Sequence, residues 1–163
     1  MSADSLPGLM NVDHVALTVP DLDAAVRFYC ELLGASEFYR LGPYDSADIP
    51  RTADGRDWGE AHVNVAGARI RLAVLRLGSG AMLELFQYEK PADARRVPPR
   101  NCDMGSHHIA LRVENFDQAV RFLREKGLRV MDGPIVIGEG PRSGMRVNYF
   151  LDPWGNQLEI VQY

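Results

Sequence analysis

His14, Glu84, His108 and Glu159 are metal-ligand residue types, two imidazoles and two carboxylates, and a duplication sets their spacing. His14-Val15-Ala16-Leu17, continuing through Asp23 and Ala25-Val26-Arg27-Phe28, aligns without a gap on His108-Ile109-Ala110-Leu111 through Asp117 and Ala119-Val120-Arg121-Phe122. Leu83-Glu84-Leu85-Phe86-Gln87-Tyr88 aligns in turn on Leu158-Glu159-Ile160-Val161-Gln162-Tyr163. Taken singly, a strand histidine is ordinarily a hydrogen-bonded core residue, and a glutamate between leucines is the solvent face of an amphipathic strand. Both types recurring at equivalent points of two copies reverses those readings. The donors suit a divalent ion such as Ni, Co, Zn, Mn or Fe(II), one per site, and four protein ligands in an octahedral field leave two positions open. Two adjacent oxygens of a small molecule would fill them. His107 faces away from His108 by alternation and does not recur in the other copy, so it reads as a structural or outer residue; His62, which does not recur either, reads as a surface or core histidine, with lining of the pocket as the lesser alternative.

Strands must carry these ligands. Val12 to Val19 alternates, with His14, Ala16 and Thr18 on one face and Val15, Leu17 and Val19 on the other. Asp21 predicts a helix cap, Leu22, Ala25, Val26, Tyr29 and Leu33 an apolar stripe, and Gly34 the stop. Asn115, the stripe Phe116, Ala119, Val120 and Leu123, and Gly127 repeat the device. Further strands are expected at Ser36 to Leu41, Ile70 to Leu77 and Ala81 to Tyr88, and in the second copy at Arg129 to Asp132, Met145 to Leu151 and Asn156 to Tyr163. Gly78-Ser79-Gly80 and Asp152-Pro153-Trp154-Gly155-Asn156 turn the last two strands of each copy into a hairpin. Leu83, Leu85, Leu158 and Ile160 then face the helices, which leaves Glu84 and Glu159 on the concave side.

Composition excludes several classes. A formal charge of −4 offers no basic stripe for nucleic acid. No apolar run approaches the roughly 20 residues that span a bilayer, and no secretion signal is visible from Met1 to Asn11. Cys30 and Cys102 lack the spacing of a thiolate zinc site or a disulfide framework. The expectation is a soluble cytoplasmic protein of one domain over 1–163. Its first module covers about 11–89, its proline-bearing linker about 90–104 and its second module about 105–163.

A βαβββ module occurring twice, with His on the first strand and Glu on the last, resembles the vicinal oxygen chelate superfamily. That superfamily includes glyoxalase I, methylmalonyl-CoA epimerase, extradiol dioxygenases and bleomycin or fosfomycin resistance proteins. Asp13-His14-Val15-Ala16-Leu17, Leu83-Glu84-Leu85, Gly105-Ser106-His107-His108-Ile109-Ala110 and Tyr149-Phe150-Leu151-Asp152-Pro153-Trp154-Gly155-Asn156-Gln157-Leu158-Glu159 carry the likeness. It implies an α+β fold in which two tandem βαβββ modules form a curved eight-stranded sheet with a concave metal-binding cleft, and a homodimer as the assembly. It implies Lewis-acid stabilisation of an enolate beside a carbonyl, with Glu159 first and Glu84 second as the carboxylate that moves the proton. The full ligand set favours an isomerase or lyase of glyoxalase I type. The alternatives are a methylmalonyl-CoA-epimerase-like reaction, to which the paired histidines before Val113-Glu114-Asn115 are similar, an Fe(II) extradiol-type dioxygenase, and a small-molecule-binding resistance protein.

The copies differ most at 42–69, an insertion longer than a hairpin needs. It is either a cover over the cleft, with Tyr44 and Trp58 as walls, or a surface excursion or dimer contact. In the second copy the glycine-rich loop 138–144 carries Arg142, a candidate for holding a carboxylate or phosphate against the plainer reading of a solvated arginine. Arg95-Arg96 in the linker reads as a solubility feature.

Overall fold

The computed structural model describes residues 6–78 and 80–163, so Ser79, in the first expected hairpin turn, lies outside the described residues. The chain separates into two compact units, the first ending at Ala94 and the second running from Arg95 to Tyr163, with the boundary inside the expected linker. The first contains β1 (His14–Thr18), α1 (Leu22–Leu33), β2 (Ser36–Asp45), α2 (Trp58–Val63), β3 (Arg69–Leu77) and β4 (Ala81–Lys90). The second contains β5 (Ile109–Arg112), α3 (Phe116–Glu125), β6 (Ile135–Val136), β7 (Arg146–Leu151) and β8 (Gln157–Gln162). The expected eight strands are organised as two four-stranded sheets, ordered β1-β4-β3-β2 and β5-β8-β7-β6. In each, the first strand runs parallel to the last and the other pairs are antiparallel. No helix among the described residues is long and apolar enough to cross a membrane.

Parallel pairing of the first and last strands requires a crossover, and the helix supplies it in each copy. Asp21 accepts a hydrogen bond from the Ala24 amide at the start of α1, and Gly34 ends the helix at φ 64°. Asn115 accepts from the Gln118 amide at the start of α3. The amide side chain near the end of each last strand ties that strand to the approach of its helix. The Leu22 amide donates to Gln87 Oε1 at 2.9 Å, and Gln162 Nε2 donates to the Glu114 carbonyl. α1 packs on β3 and β4, α3 on β8. Leu83, Leu85, Leu158 and Ile160 are all buried, as the alternation requires. Each such side chain removed from water contributes about 1.5–3 kcal/mol.

Two expectations change. The strand expected at Arg129 to Asp132 reduces to one bridge, Val130 to Phe150, and the short edge strand forms instead at Ile135–Val136. Gly133-Pro134 lies between them, and a proline without an amide proton cannot continue the ladder. Gly133 also passes so close to the buried Asn148 that a Cβ would fall 1.9 Å from its Oδ1. The 42–69 insertion is not a plain loop. β2 runs on to Asp45, a 3-10 turn covers Ser46–Asp48, and α2 follows. Asp57 caps α2 through the Glu60 amide and accepts also from the Gly67 amide, while the Gly59 amide donates to Ser46 Oγ at 3.0 Å. Tyr44 and Trp58 meet at 5.9 Å between ring centroids, and exposed His62 lies against Trp58 at 5.7 Å.

Asp45 fastens this insertion to the sheet. It is buried, and its carboxylate lies 2.9 Å from Lys90 Nζ and 3.3 Å from an Arg69 guanidinium nitrogen while accepting from the Ala47 amide. The Lys90 ammonium, with the Ala47 amide second, lowers its pKa from an ordinary 3.8 to about 2. A carboxylate depressed in the folded state stabilises above its unfolded pKa, and that contribution is lost as pH falls towards the folded one. Asp45→Asn is therefore expected to lower the melting temperature by a few degrees at neutral pH, with the deficit shrinking as the wild type is acidified from about pH 4 to pH 2. Thermal unfolding of both proteins across that range measures it.

Candidate metal centre

Register places each histidine against its glutamate in the same way. On the parallel pair β1/β4, Ala16 is the partner of Glu84; on β5/β8, Ala110 is the partner of Glu159. The histidine stands two residues before that alanine in both copies, so alternation brings imidazole and carboxylate to one face of the sheet. His14 Nε2 lies 3.3 Å from Glu84 Oε2, and His108 Nε2 lies 3.1 Å from Glu159 Oε2. His108 itself immediately precedes β5, whereas His14 is the first residue of β1.

Both separations match two ligands on one ion. Donors each about 2.1 Å from a metal and at right angles lie about 3.0 Å apart. Among the described residues no group of three or more His, Cys, Asp or Glu side chains converges on a point, so each unit presents one His–Glu pair. Donor type and spacing within each pair fit a divalent ion. The carboxylates are the sheltered partners, with side chains 16% exposed at Glu84 and 9% at Glu159, while the imidazoles are 46% and 35% exposed.

The surroundings of the two pairs differ, and this the sequence reading missed. His14 Nδ1 lies 2.9 Å from Asp13 Oδ1, which orients the ring with its proton on Nδ1 and leaves the Nε2 lone pair for a ligand bond. That hydrogen bond, with the Glu84 charge adding to it and partial desolvation opposing it, raises the His14 pKa above 6.5. The position matching Asp13 in the second copy is His107, which is exposed. There Tyr149 does the steadying, its ring edge-on to His108 at 5.4 Å and 89°. Tyr149 is also the cross-strand partner of Glu159. Burial, with the Glu159 charge second, raises its phenol pKa; burial and Glu84 do the same to Tyr88. Counting the β7–β8 register back from the hairpin turn would have found Tyr149, and the carboxylate beside His14 was the signal for Asp13.

A family model described as the glyoxalase/bleomycin resistance protein/dioxygenase superfamily matches residues 11–160, nearly the whole chain. The chain belongs to this superfamily. Within it, the chain is 45% identical to 2-epi-5-epi-valiolone epimerase of Actinomyces sp. over 99% of its own length and 84% of that protein's. It is 27% identical to human mitochondrial methylmalonyl-CoA epimerase, over 82% of this chain and 64% of that one. A glyoxalase family protein of Bacillus cereus superposes with a TM-score of 0.70 at 20% identity, covering 99% of this chain and 98% of that one. Leishmania major glyoxalase I superposes at 0.59 with 18% identity, covering 94% of this chain and 87% of that one. These two structural likenesses concern the superfamily fold.

The Asp13 contact gives a direct expectation. In metal-free protein the His14 imidazole should titrate above 6.5, and Asp13→Asn should move its midpoint down further than Glu84→Gln does. Proton NMR of the histidine ring resonances against pH reads both shifts.

Proposed function

We propose that the chain is a metal-dependent epimerase that inverts a stereocentre next to a carbonyl. The observation that carries this reading is the 45% identity, across 99% of the chain, with 2-epi-5-epi-valiolone epimerase. The substrate by this reading is a small ketone of the valiolone kind. Members of the superfamily generally bind a divalent metal ion. His14 and Glu84 with His108 and Glu159 would hold it, one pair of each type, from the same chain or from two chains of a homodimer. When bound, the ion supplies Lewis-acid stabilisation of negative charge developing on the substrate carbonyl.

The residues supply the proton chemistry. Inversion needs a base on one face of the carbon and an acid on the other. Glu159 is assigned the removal of the proton from the carbon next to the carbonyl, and Glu84 the delivery of a different proton to the opposite face. The C–H bond breaks towards the Glu159 carboxylate and a new one forms from the Glu84 carboxylic acid; exchange with solvent then takes the proton from Glu159 and restores that of Glu84, so no oxidant or reductant enters. Glu159 is the more sheltered of the two carboxylates, and Asp13 and Tyr149 keep the two imidazoles aimed.

The glyoxalase I-type lyase expected from the ligand set has only fold likeness behind it, and the epimerase alternative is the better supported. A second epimerase reading, on an acyl-CoA thioester, has the methylmalonyl-CoA epimerase relatives and the paired His107-His108 in its favour.

In heavy water, the metal-loaded protein should place deuterium on the carbon beside the ketone of a valiolone-type substrate without consuming O2. Glu159→Gln should slow exchange by about 10²–10⁴-fold while metal occupancy falls much less. Exchange unchanged in that variant removes Glu159 from the base role. Turnover of a glutathione hemithioacetal alone restores the lyase reading, and strict O2 dependence points to a dioxygenase.

Metal binding should also raise the melting temperature by mass action. It should weaken as pH falls through the raised pKa of His14, since proton and ion compete for the imidazole. Calorimetric titration of the ion into His14→Ala and Glu159→Ala checks the ligands; affinity equal to wild type in both refutes the assignment.

A further inference from the structure

Arg112 and Arg142 are among the arginines, such as Arg76 and Arg129, that no ion pair among the described residues takes up, but these two share one ring. Arg40, Arg56, Arg69, Arg100 and Arg146 each lie against an aspartate or glutamate. Among the described residues neither Arg112 nor Arg142 has a carboxylate within 4.0 Å. Both instead reach the same ring: their guanidinium carbons lie 5.0 Å and 5.4 Å from the centroid of Tyr163. Two like charges drawn to one tyrosine, with no carboxylate within 4.0 Å of either among the described residues, leave unfilled the fork-shaped donors that bind planar or tetrahedral oxyanions. Arg112 and Tyr163, with Glu114 and Gln162, line an open cleft of about 440 Å³.

Position adds to charge. Along β5, His108, Ala110 and Arg112 alternate onto one face; along β8 and its continuation, so do Glu159, Val161 and Tyr163. Arg112 and Tyr163 therefore share the face of His108 and Glu159, whereas Val113 and Gln162 of the same lining alternate to the other, so the cleft sits at the strand ends. Tyr163 is four residues beyond Glu159, roughly 13 Å at the rise of a strand. The duplication shows that scaffolding does not require it. At the matching points the first copy has Tyr88 but Thr18 in place of Arg112.

We infer that Arg112 and Arg142, flanking Tyr163, form an oxyanion-binding subsite of the second unit for a phosphate ester or carboxylate. Gln162 is held in place by its bond to the Glu114 carbonyl. The cleft is lined by Arg112 and Glu114 but not by Arg142, so an anion is disfavoured beside the Glu114 carboxylate and favoured near the Tyr163 ring, which both guanidinium groups reach. This subsite needs neither the metal nor an epimerase reaction.

Inorganic phosphate titrated into the metal-free full chain at low ionic strength, followed by NMR of the Tyr163 ring, tests it directly. Saturable shifts are expected in the wild type. Arg112→Gln and Arg142→Gln, both at exposed positions, should each weaken binding about tenfold while thermal unfolding confirms that they are folded. Malonate in competition distinguishes the source: displacement at lower concentration than phosphate indicates a carboxylate ligand, and the reverse a phosphate ester. Absence of saturable binding, or an affinity unmoved by either substitution, overturns the proposal. Because the readout is binding to metal-free protein, that failure would leave the epimerase reading standing.

Discussion

The parallel pairing of the first strand with the last, in both units, is the constraint on which the rest depends. It fixes Ala16 opposite Glu84 and Ala110 opposite Glu159, so a histidine two residues earlier arrives on the glutamate's face without further adjustment. The connection must then cross over, which calls for a helix, and the helix must be covered by the opposite face of the same strands. The leucines on either side of each glutamate, and Ile160 in the second copy, answer that demand. Ligand placement and core packing are thus two readings of one alternation, and a one-residue slip would exchange them.

Most of this was legible because periodicity and duplication reinforce each other. The caps at Asp21 and Asn115, the αL glycine at Gly34 and the buried leucine faces all lie where the sequence places them. What the sequence obscured were features set by tertiary contacts. The Arg129 to Asp132 strand looked continuous because its residues suit a strand, yet Gly133-Pro134 and the buried Asn148 divert the chain. The insertion looked like a loop because its order rests on scattered polar anchors, Asp45, Ser46 and Asp57, rather than on an apolar repeat. At the candidate centre the two His–Glu pairs were legible through the repeat, but Asp13 and Tyr149 were not, since neither has an equivalent in the other copy.

That asymmetry sets the two units apart. The first pair has an imidazole tethered by a carboxylate and an accessible ring; the second has an imidazole braced by an aromatic edge and a more deeply buried glutamate. Two copies of one scaffold therefore present chemically unequal His–Glu pairs. The arginines around Tyr163 extend the same inequality along the strand.

Gln87 and Gln162 carry a further consequence. The same residue, copied, accepts a hydrogen bond from a backbone amide in one unit and donates one to a backbone carbonyl in the other. Only an amide side chain holds both capacities at its tip; a carboxylate would serve the first neighbourhood alone, and an ammonium only the second. The two helices are thereby approached through different backbone groups, the Leu22 amide and the Glu114 carbonyl, while the anchoring residue on the strand beside each is the same.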